Sequence, residues 1–476
     1  MTNAEINGLD DSTMISETEE RIHERVLSIG DDMKLPVSVR FISFILGAAV
    51  LLPWNALIIA IDYLTSRVKG SPFHSAFASY LSLSFLVANF FFLAHATFAP
   101  NRMASARVIR LTLCAIAVLN LLLALTTFIT LPPTLFFLFA ILNGIAQAAA
   151  GSYNQCSLIA VISLLGPTAI QPLFSGQAAV GVLFSLVQIL TSTAGVTTNE
   201  SGDTNSKAAA RSAFLFFGIS TLFILFSIFM HARLVDTTEY RTIVVPFEKK
   251  PAIVSLEEER QALVGSNGYS DSPNSKPRML HVIKKNARYN FAVAYVFVAT
   301  LAVFPAITSF IRSVQYPPTT LFTHPLLFTA LHFLMFNLGD LIGRYLPLIP
   351  LFQVWDSYTL LSLSLSRTIF IPLFLACNFQ APSSPPGPPE ANVIIGSDFI
   401  FFLIMLLFGA SNGYLSTLVM MAVPSPQRNP WLRHNPKDIE ISATIAQFCL
   451  IGGLAFGSFL SFGVTAFVCS CNPFTT

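Results

Sequence analysis

The sequence predicts an all-α polytopic membrane protein with eleven transmembrane helices in a six-plus-five arrangement. Of its 476 residues, 53% are hydrophobic and only 11% are charged, whereas soluble domains carry roughly 25% charged residues to solvate their surface. The hydrophobic residues also fall into long runs, and a helix of about 20 such residues is needed to cross the roughly 30 Å core of a bilayer. One long polar interruption separates six of these runs from the other five.

The first 40 residues form a polar tail. They contain nine acidic residues and no apolar run. A cleavable signal peptide would open with a basic stretch followed by a short apolar core, so this segment is not one. We predict that residues 1–40 are a cytoplasmic tail and that the first apolar run is its own membrane signal.

The apolar runs define eleven predicted spans. They are Phe41–Leu64, Ser75–Phe98, Val108–Thr130, Thr134–Leu165, Pro172–Thr197, Ser212–Leu234, Tyr289–Ile311, Leu321–Leu346, Val354–Phe379, Ser397–Val423 and Ile439–Cys469.

These spans predict two bundles. Residues 41–234 would form a six-helix bundle and residues 289–470 a five-helix bundle. The connecting residues 235–288 are polar and rich in Ser, Asn, Gly and Pro near their centre, a composition typical of disorder. We therefore expect a disordered cytoplasmic loop there, and a short extracellular or lumenal tail at residues 471–476.

The basic residues predict the orientation of the chain. With the amino terminus inside, cytoplasmic segments hold 20 Lys and Arg residues, whereas the outer loops hold five. Cytoplasmic segments of membrane proteins carry this excess of positive charge. The one glycosylation sequon, Asn199-Glu200-Ser201, then falls in an outer loop where it could be modified.

The eighth span contains charged residues, although apolar residues at these positions would insert into the membrane at a lower free-energy cost. Asn337, Asp340 and Arg344 are spaced by three and four residues, so they share one helical face. A charged residue at the centre of a span costs roughly 2.5–3.5 kcal/mol on insertion scales. Intramembrane charges usually line a transport pathway, although a buried ion pair that only locks helices together is the alternative.

The fourth and fifth spans carry polar stripes. Such amides and hydroxyls could line a wet cavity, or they could simply bond neighbouring helices. The stripe residues are Asn143, Gln147, Gly151 and Asn154 with Gln155 at the edge, and Gln177, Gly181, Ser185, Gln188 and Ser192.

Trp54 lies too deep to be an interfacial tryptophan. It follows the start of its span by 13 residues, which is roughly 20 Å of helix. Pro53 should bend the helix at this point, and Asn55 adds polar atoms beside the indole. We interpret Trp54 as a stacking platform for a flat ligand; core filling beside a kink is the alternative.

The remaining polar residues predict neither catalysis nor a metal or cofactor site. No Ser-His-Asp arrangement, phosphate-binding loop or zinc motif occurs in a suitable context, so we do not expect an enzyme. We interpret His95 and His332 as structural, and we expect Asp62, Arg367 and Asp398 to extend from span ends toward water. Cys377, Cys469 and Cys471 could form a disulfide near the outer face, although free thiols in apolar helices are the simpler interpretation.

Six motifs in this order resemble the equilibrative nucleoside transporters over nearly the whole chain. They are Leu51-Leu52-Pro53-Trp54-Asn55, Ser175-Gly176-Gln177, Phe304-Pro305-Ala306, residues 336–344, Pro372-Leu373-Phe374 with Cys377-Asn378, and Ser411-Asn412-Gly413-Tyr414.

The resemblance implies a fold like the major facilitator superfamily with one helix fewer, and movement of nucleosides, or of nucleobases, down their gradient. It implies that Trp54 lies beside the base and that Gln155 hydrogen-bonds it. By the same resemblance, Asp340 and Arg344 face the ribose. Ile58 occupies a position near Trp54 that is often Met in mammalian relatives. With Asn337 and Asn55, these residues make up the expected substrate site.

The expected partners are purine and pyrimidine nucleosides and the lipid bilayer, with no nucleic acid polymer, and we expect a monomer. The membrane is left open between the plasma membrane and the vacuolar or lysosomal membrane. Two alternatives also remain open: a proton-coupled nucleoside symporter, and a facilitator-type carrier of another small polar solute. The second would predict twelve spans and a basic, glycine-containing loop after the second span, but residues 101–110 contain no glycine.

Overall fold

The protein is described by a computed structural model over residues 35–74, 76–98, 105–129, 131–197, 202–248, 275–317, 320–380 and 393–469. Within these ranges the structure is nearly all helical. Eleven of the described helices are long and apolar enough to cross a membrane. The predicted fold class is therefore confirmed.

The six helices of the first bundle are Val37–Ile59, Phe77–Phe98, Ala106–Leu125, Pro133–Leu164, Pro167–Thr197 and Gly202–Val235. The second bundle contains Ala287–Val303, Pro325–Tyr345, a ninth span divided into Ser357–Ser366, Arg367–Ile369 and Phe370–Leu375, then Asp398–Ala422 and Ile439–Cys469. Shorter helices are Ile61–Arg67, Tyr240–Val244 and Ser275–Lys285, with single turns at Thr308–Phe310, Leu321–Thr323, Leu346–Leu348, Pro350–Phe352, Leu432–His434 and Pro436–Asp438.

The fifth and sixth spans begin earlier than predicted. Gly166 ends the fourth span with a φ of 93°, a left-handed conformation that favours glycine. Pro167 then starts the fifth helix at once, since proline is well tolerated in the first turn. The sixth helix starts at Gly202, ten residues before the predicted Ser212.

The two bundles repeat one packing scheme. In the first bundle the first span packs against the fifth, the second against the fourth and the third against the sixth. In the second bundle the seventh packs against the eleventh and the eighth against the tenth. The ninth span packs against the seventh, but none of the described spans takes the place beside it that the sixth span takes beside the third.

Glycines bring the eighth and tenth spans into direct backbone contact. A Cβ atom at Gly339 would overlap the Leu406 carbonyl oxygen, and one at Gly343 would overlap that of Ala410. In return, a Cβ atom at Gly413 would overlap the Asp340 carbonyl oxygen. Small residues allow such close approach between membrane helices. This contact places Asp340 against the tenth span.

The two flanks of the 235–288 connection are helical, so the expected disorder does not extend to them. The hydroxyl of buried Tyr240 donates to Glu248 over 2.7 Å, and Glu248 also accepts from the backbone N–H of Ala106 at the start of the third span over 2.8 Å. Burial, together with Glu248, raises the pKa of Tyr240. At the other flank, Arg278 pairs with Asp438. Each flank is thus attached to its own bundle, while residues 249–274 lie outside the described residues.

Asp398 is half-buried at the start of the tenth span and is hydrogen-bonded there. Its carboxylate accepts from the Ser313 hydroxyl over 2.6 Å and from the Val314 backbone N–H over 3.0 Å. It therefore ties the start of the tenth span to the segment after the seventh.

Cys377 is buried and free, whereas Asn199 and Cys471 lie outside the described residues and the side chain of Cys469 is not described.

We predict that Gly339→Ala destabilises the protein by about 1–3 kcal/mol, because the added methyl group forces the eighth and tenth spans apart. Thermal unfolding of the purified protein in detergent measures this as a lower Tm. The loss should exceed the gain in helix propensity, which is at most about 1 kcal/mol.

Gly452→Ala is the matched control. A Cβ atom there would meet no neighbouring atom within 4 Å, so its Tm should be equal to or slightly above that of the parent. Equal Tm values for the Gly339 and Gly452 variants would show that the close contact does not limit packing.

Candidate functional site

The charged pair predicted on the eighth span is formed and buried. Arg344 donates through Nε to Asp340 Oδ2 over 2.9 Å, one helical turn apart. Each residue is 6% exposed. Because a charge in the interior is costly without partners, the remaining hydrogen bonds of both side chains decide whether the pair is stable.

Asn412 of the tenth span satisfies the second carboxylate oxygen. Its Nδ2 donates to Asp340 Oδ1 over 2.7 Å. Its Oδ1 accepts from Arg367 Nη1 over 3.2 Å, and the Thr300 hydroxyl lies 2.8 Å away. Four spans therefore contribute to one polar cluster around Asp340, which we call the central cluster: Thr300, Asp340, Arg344, Arg367 and Asn412.

The expectation that Arg367 extends from a span end was wrong. Arg367 is 2% exposed, and its guanidinium lies 4.7 Å from the centre of the Phe408 ring. The sequence did contain an indication that Arg367 is buried. It lies near the middle of the predicted span Val354–Phe379, too far from either end to reach water. Its link to Asn412 joins residues from two spans, which no local spacing indicates.

Asn337 connects the two bundles. Its Nδ2 donates to the hydroxyl of Ser185 on the fifth span over 2.7 Å. Gly181, one turn earlier on that span, leaves room for the amide, since a Cβ atom there would lie 2.8 Å from Asn337 Oδ1. The polar stripe of the fifth span thus faces the eighth span.

Arg344 also lies against the fifth span. Its backbone oxygen accepts from Gln171 Nε2 over 3.0 Å, and its guanidinium lies 5.6 Å from the centre of the Phe174 ring. Nη1 of Arg344 is buried without a hydrogen-bond partner among the described residues. The pair therefore lies at the seam between the bundles with an unused donor.

The first-span residues occupy a different part of the molecule. Trp54 is partly buried and packs on Phe85 of the second span, with 4.4 Å between ring centroids. Asn55 donates to the Leu51 carbonyl oxygen of its own helix over 2.8 Å, and Ile58 is 46% exposed. The helix continues through Pro53.

Two residues of the fourth-span stripe bond to the third span, and Gln147 bonds to Asn143 of its own helix. Asn143 donates to the Leu119 carbonyl oxygen of the third span over 3.1 Å, and Asn154 accepts from Thr112 over 3.3 Å. Gln155 is buried at the edge of this stripe. Among the described residues, the buried stripe atoms without a hydrogen-bond partner are Gln147 Oε1 and Asn154 Nδ2.

Of the seven predicted site residues, the structure joins Asp340 and Arg344 directly, and it places Asn337 on the same helix against Ser185. No hydrogen bond, ion pair or ring contact among the described residues joins them to Trp54, Asn55, Ile58 or Gln155. The described residues also include no group of three or more His, Cys, Asp or Glu side chains placed to hold a metal ion.

The contacts between bundles lie from mid-span toward the face where the first span begins, which we call the N-terminal face. Besides the Gln171 and Ser185 contacts, Phe448 of the eleventh span packs on Phe90 and Phe98 of the second, with centroid distances of 5.5 and 5.1 Å. Cys156 is buried in the same apolar cluster. Among the described residues, the seam is closed on this side.

The central cluster offers both acceptor and donor groups. It holds one carboxylate and two guanidinium groups, of which only Arg344 bonds directly to Asp340. A hydroxyl group both donates and accepts, so it can engage a carboxylate lone pair and a guanidinium N–H at once.

Comparison with known proteins shows the family of the chain. A family model described as "Nucleoside transporter" matches residues 144–466. Equilibrative nucleoside transporter 1 of Mus musculus is 26% identical over 470 residues, covering 90% of this chain and 97% of that protein. Equilibrative nucleoside transporter 2 of Homo sapiens is 28% identical over 466 residues, covering 88% and 95%.

Two solved structures share the fold. The fucose:proton symporter FucP of E. coli has a TM-score of 0.52 and 14% sequence identity, covering 91% of this chain and 94% of its own. The major facilitator superfamily proton:xylose symporter XylE has a TM-score of 0.51 and 10% identity, covering 92% and 96%. The major facilitator fold is thereby confirmed.

We predict that Gln171→Ala loosens the closed side of the seam, because it removes the hydrogen bond to the Arg344 backbone. A net loss of about 1 kcal/mol would raise the open population about fivefold. In a variant that keeps Cys156 as its only cysteine, alkylation by N-ethylmaleimide should accelerate by that factor.

Gln188→Ala is the control, since this amide is exposed on the same span. It should leave the alkylation rate of Cys156 unchanged. Equal rates in both variants would show that the Gln171 bond does not hold the seam closed.

Proposed function

Because the chain belongs to the nucleoside transporter family, we propose that it moves purine and pyrimidine nucleosides down their gradient in either direction by alternating access. It is an integral, multi-pass membrane protein and a nucleoside carrier, and not an enzyme. The two bundles would rock against each other around a site at their seam, as in other carriers built from repeated bundles.

The observation that carries this proposal is the buried Asp340–Arg344 pair at the seam. A protein that needed only to fold would place apolar residues there, because a buried ion pair is often no more stabilising than well-packed apolar side chains. A nucleoside offers uncharged ribose hydroxyls to such a pair. The unused Nη1 of Arg344 supplies a donor to a hydroxyl once the seam opens.

We assign the base to the first bundle. Trp54 offers an aromatic surface, and the Gln155 amide can both donate and accept at a base edge. Asn55, Ile58 and Asn337 would complete the walls of the site. The base-binding residues lie on the first bundle and the Asp340–Arg344 pair lies on the second. A substrate that contacts both would therefore draw the bundles together.

Conformational change is supported by the uneven seam. Direct contacts between the bundles join the second and eleventh spans and the fifth and eighth spans, and these lie toward the N-terminal face. Closure on one face, with a buried pair in the last two turns of the eighth helix, fits one end state of an alternating-access cycle.

We propose a cytoplasmic amino terminus from the excess of basic residues on that side, 20 against five. The plasma membrane and the vacuolar or lysosomal membrane both fit this orientation. We propose a monomer, since one chain supplies both bundles.

Proton-coupled symport is the second candidate, and Asp340 is the observation that favours it, because a carboxylate at membrane depth can carry a proton. Against it, both oxygens of this carboxylate already accept hydrogen bonds, from Asn412 and Arg344. A third candidate is a carrier of another small polar solute. It is distinguished from the proposed nucleoside carrier by the compounds that compete for uptake.

We predict that Asp340→Ala or Arg344→Ala lowers uptake of radiolabelled uridine by at least about 100-fold. Removing one partner leaves the other charge buried and unpaired, which costs about 3–5 kcal/mol. Uptake is measured in cells that lack other nucleoside carriers and is divided by the amount of transporter at the surface.

Asp236→Ala is the matched control. Asp236 forms an exposed ion pair with Arg241 over 3.0 Å, so its loss should leave uptake near the parent level. Normal uptake in both the Asp340 and Arg344 variants would remove the pair from the substrate site. Competition by sugars but not by nucleosides would favour the third candidate.

We also predict that a protonophore leaves uridine uptake unchanged, because both oxygens of the Asp340 carboxylate already accept hydrogen bonds from protein groups. Uptake is compared at pH 5.5 and 7.5 with and without the protonophore, together with the Asp340→Asn variant. Acid-stimulated uptake that the protonophore abolishes, and that Asp340→Asn lacks, would establish symport.

A further inference from the structure

Arg367 contacts none of the proposed site residues directly, yet it is linked to Asp340 through one amide. We propose that Arg367 is a positioning residue: by fixing the orientation of the Asn412 amide, it sets the position of the Asp340 carboxylate for the substrate. This inference rests on the proposed function, in which Asp340 and Arg344 bind the ribose.

Every nitrogen of the Arg367 guanidinium has a hydrogen-bond partner. Nε donates to the Ser411 hydroxyl over 3.1 Å, and Nη2 donates to the Phe408 carbonyl oxygen over 3.2 Å. Nη1 donates to the Val296 carbonyl oxygen over 2.7 Å and to Asn412 Oδ1 over 3.2 Å. The seventh and tenth spans thus hold the guanidinium in place from two sides.

Arg367 and Asp340 impose the same orientation on the Asn412 amide, since a guanidinium only donates and a carboxylate only accepts. A guanidinium can only donate, so the amide must turn its oxygen toward Arg367. Thr300 cannot impose this orientation, because its hydroxyl has one hydrogen and the Val296 carbonyl oxygen also lies within reach at 2.7 Å. With the oxygen directed to Arg367, the NH2 group is left to donate to Asp340.

The opposite orientation of the amide would harm the site. It would place the Asn412 oxygen where Nδ2 now lies, 2.7 Å from Asp340 Oδ1, so two acceptors would face each other in the interior. The carboxylate would have to turn away, and Oδ2 would then leave Arg344 Nε. The arrangement of acceptor and donor offered to a ribose would be lost, although the helices could remain packed.

Two other roles for Arg367 make different predictions. If Arg367 only anchors the ninth span, its replacement should lower the amount of folded transporter without changing substrate preference. If it only balances charge, Arg367→Lys should match the parent and Asn412 should not matter. Positioning predicts a specific loss of ribose recognition that depends on Asn412.

The experiment compares KM for uridine with KM for 2′,3′-dideoxyuridine, which keeps the base and the 5′-hydroxyl but lacks the 2′- and 3′-hydroxyls. Arg367→Gln should raise KM for uridine by about tenfold, the loss of one charge-assisted hydrogen bond, because a glutamine amide can donate or accept and imposes no orientation. KM for dideoxyuridine should change by less than about twofold. Arg367→Lys should recover part of the uridine preference, because an ammonium group donates but cannot accept.

Asn412→Leu tests the route of the effect. It should reproduce the loss for uridine, and the double variant Arg367→Gln with Asn412→Leu should be no worse than the single variants, since residues acting through one contact are not additive. Ser411→Ala removes another acceptor of Arg367 but no contact of Asp340, so it should change KM for uridine less than Asn412→Leu does.

Each outcome decides between the proposals. Equal KM values for uridine and dideoxyuridine in the parent would overturn the ribose assignment itself. A parent preference that persists in Arg367→Gln, or multiplicative losses in the double variant, would overturn the positioning role and leave the proposed function intact. If Arg367→Gln does not reach the surface, Arg367→Lys and the contrast between Asn412→Leu and Ser411→Ala decide the question.

Discussion

The Asp340 carboxylate lies in the protein interior, and a charge there is stable only while its oxygens receive hydrogen bonds. Asn412 supplies one and Arg344 the other, and Asn412 in turn is bonded by Arg367. Because these groups come from three different spans, the carboxylate can keep its charge only if the eighth, ninth and tenth spans hold their relative positions. The glycines between the eighth and tenth spans make that arrangement possible by letting the two backbones touch.

The seam between the bundles is built differently from the bundle interiors. Inside the second bundle the polar contacts form a continuous cluster, whereas the polar bonds across the seam that the structure describes, from Gln171 and to Ser185, each join one pair of groups. Direct hydrogen bonds contribute only about 0.5–1.5 kcal/mol each. The second bundle and the seam are therefore both held by hydrogen bonds. The bundle has a connected cluster of them, whereas the seam has single bonds that can break when it opens.

The sequence sufficed for the fold class. Eleven spans follow from hydrophobic length, and the contact between Asp340 and Arg344 could be expected because one helix carries both. The role of the fourth-span amides could not be predicted, because whether Asn143 faces a cavity or the third span depends on helix rotation. Arg367 was misplaced for a related reason: its acceptors lie on the seventh and tenth spans, and pairing across spans leaves no periodic pattern in the chain.

The unmatched ninth span has a consequence for the second bundle. With no described helix in the position that the sixth span holds beside the third, residues such as Leu365 and Ile369 are exposed on either side of Arg367. In a bilayer, these apolar side chains would face acyl chains on the same span that carries the buried guanidinium of Arg367.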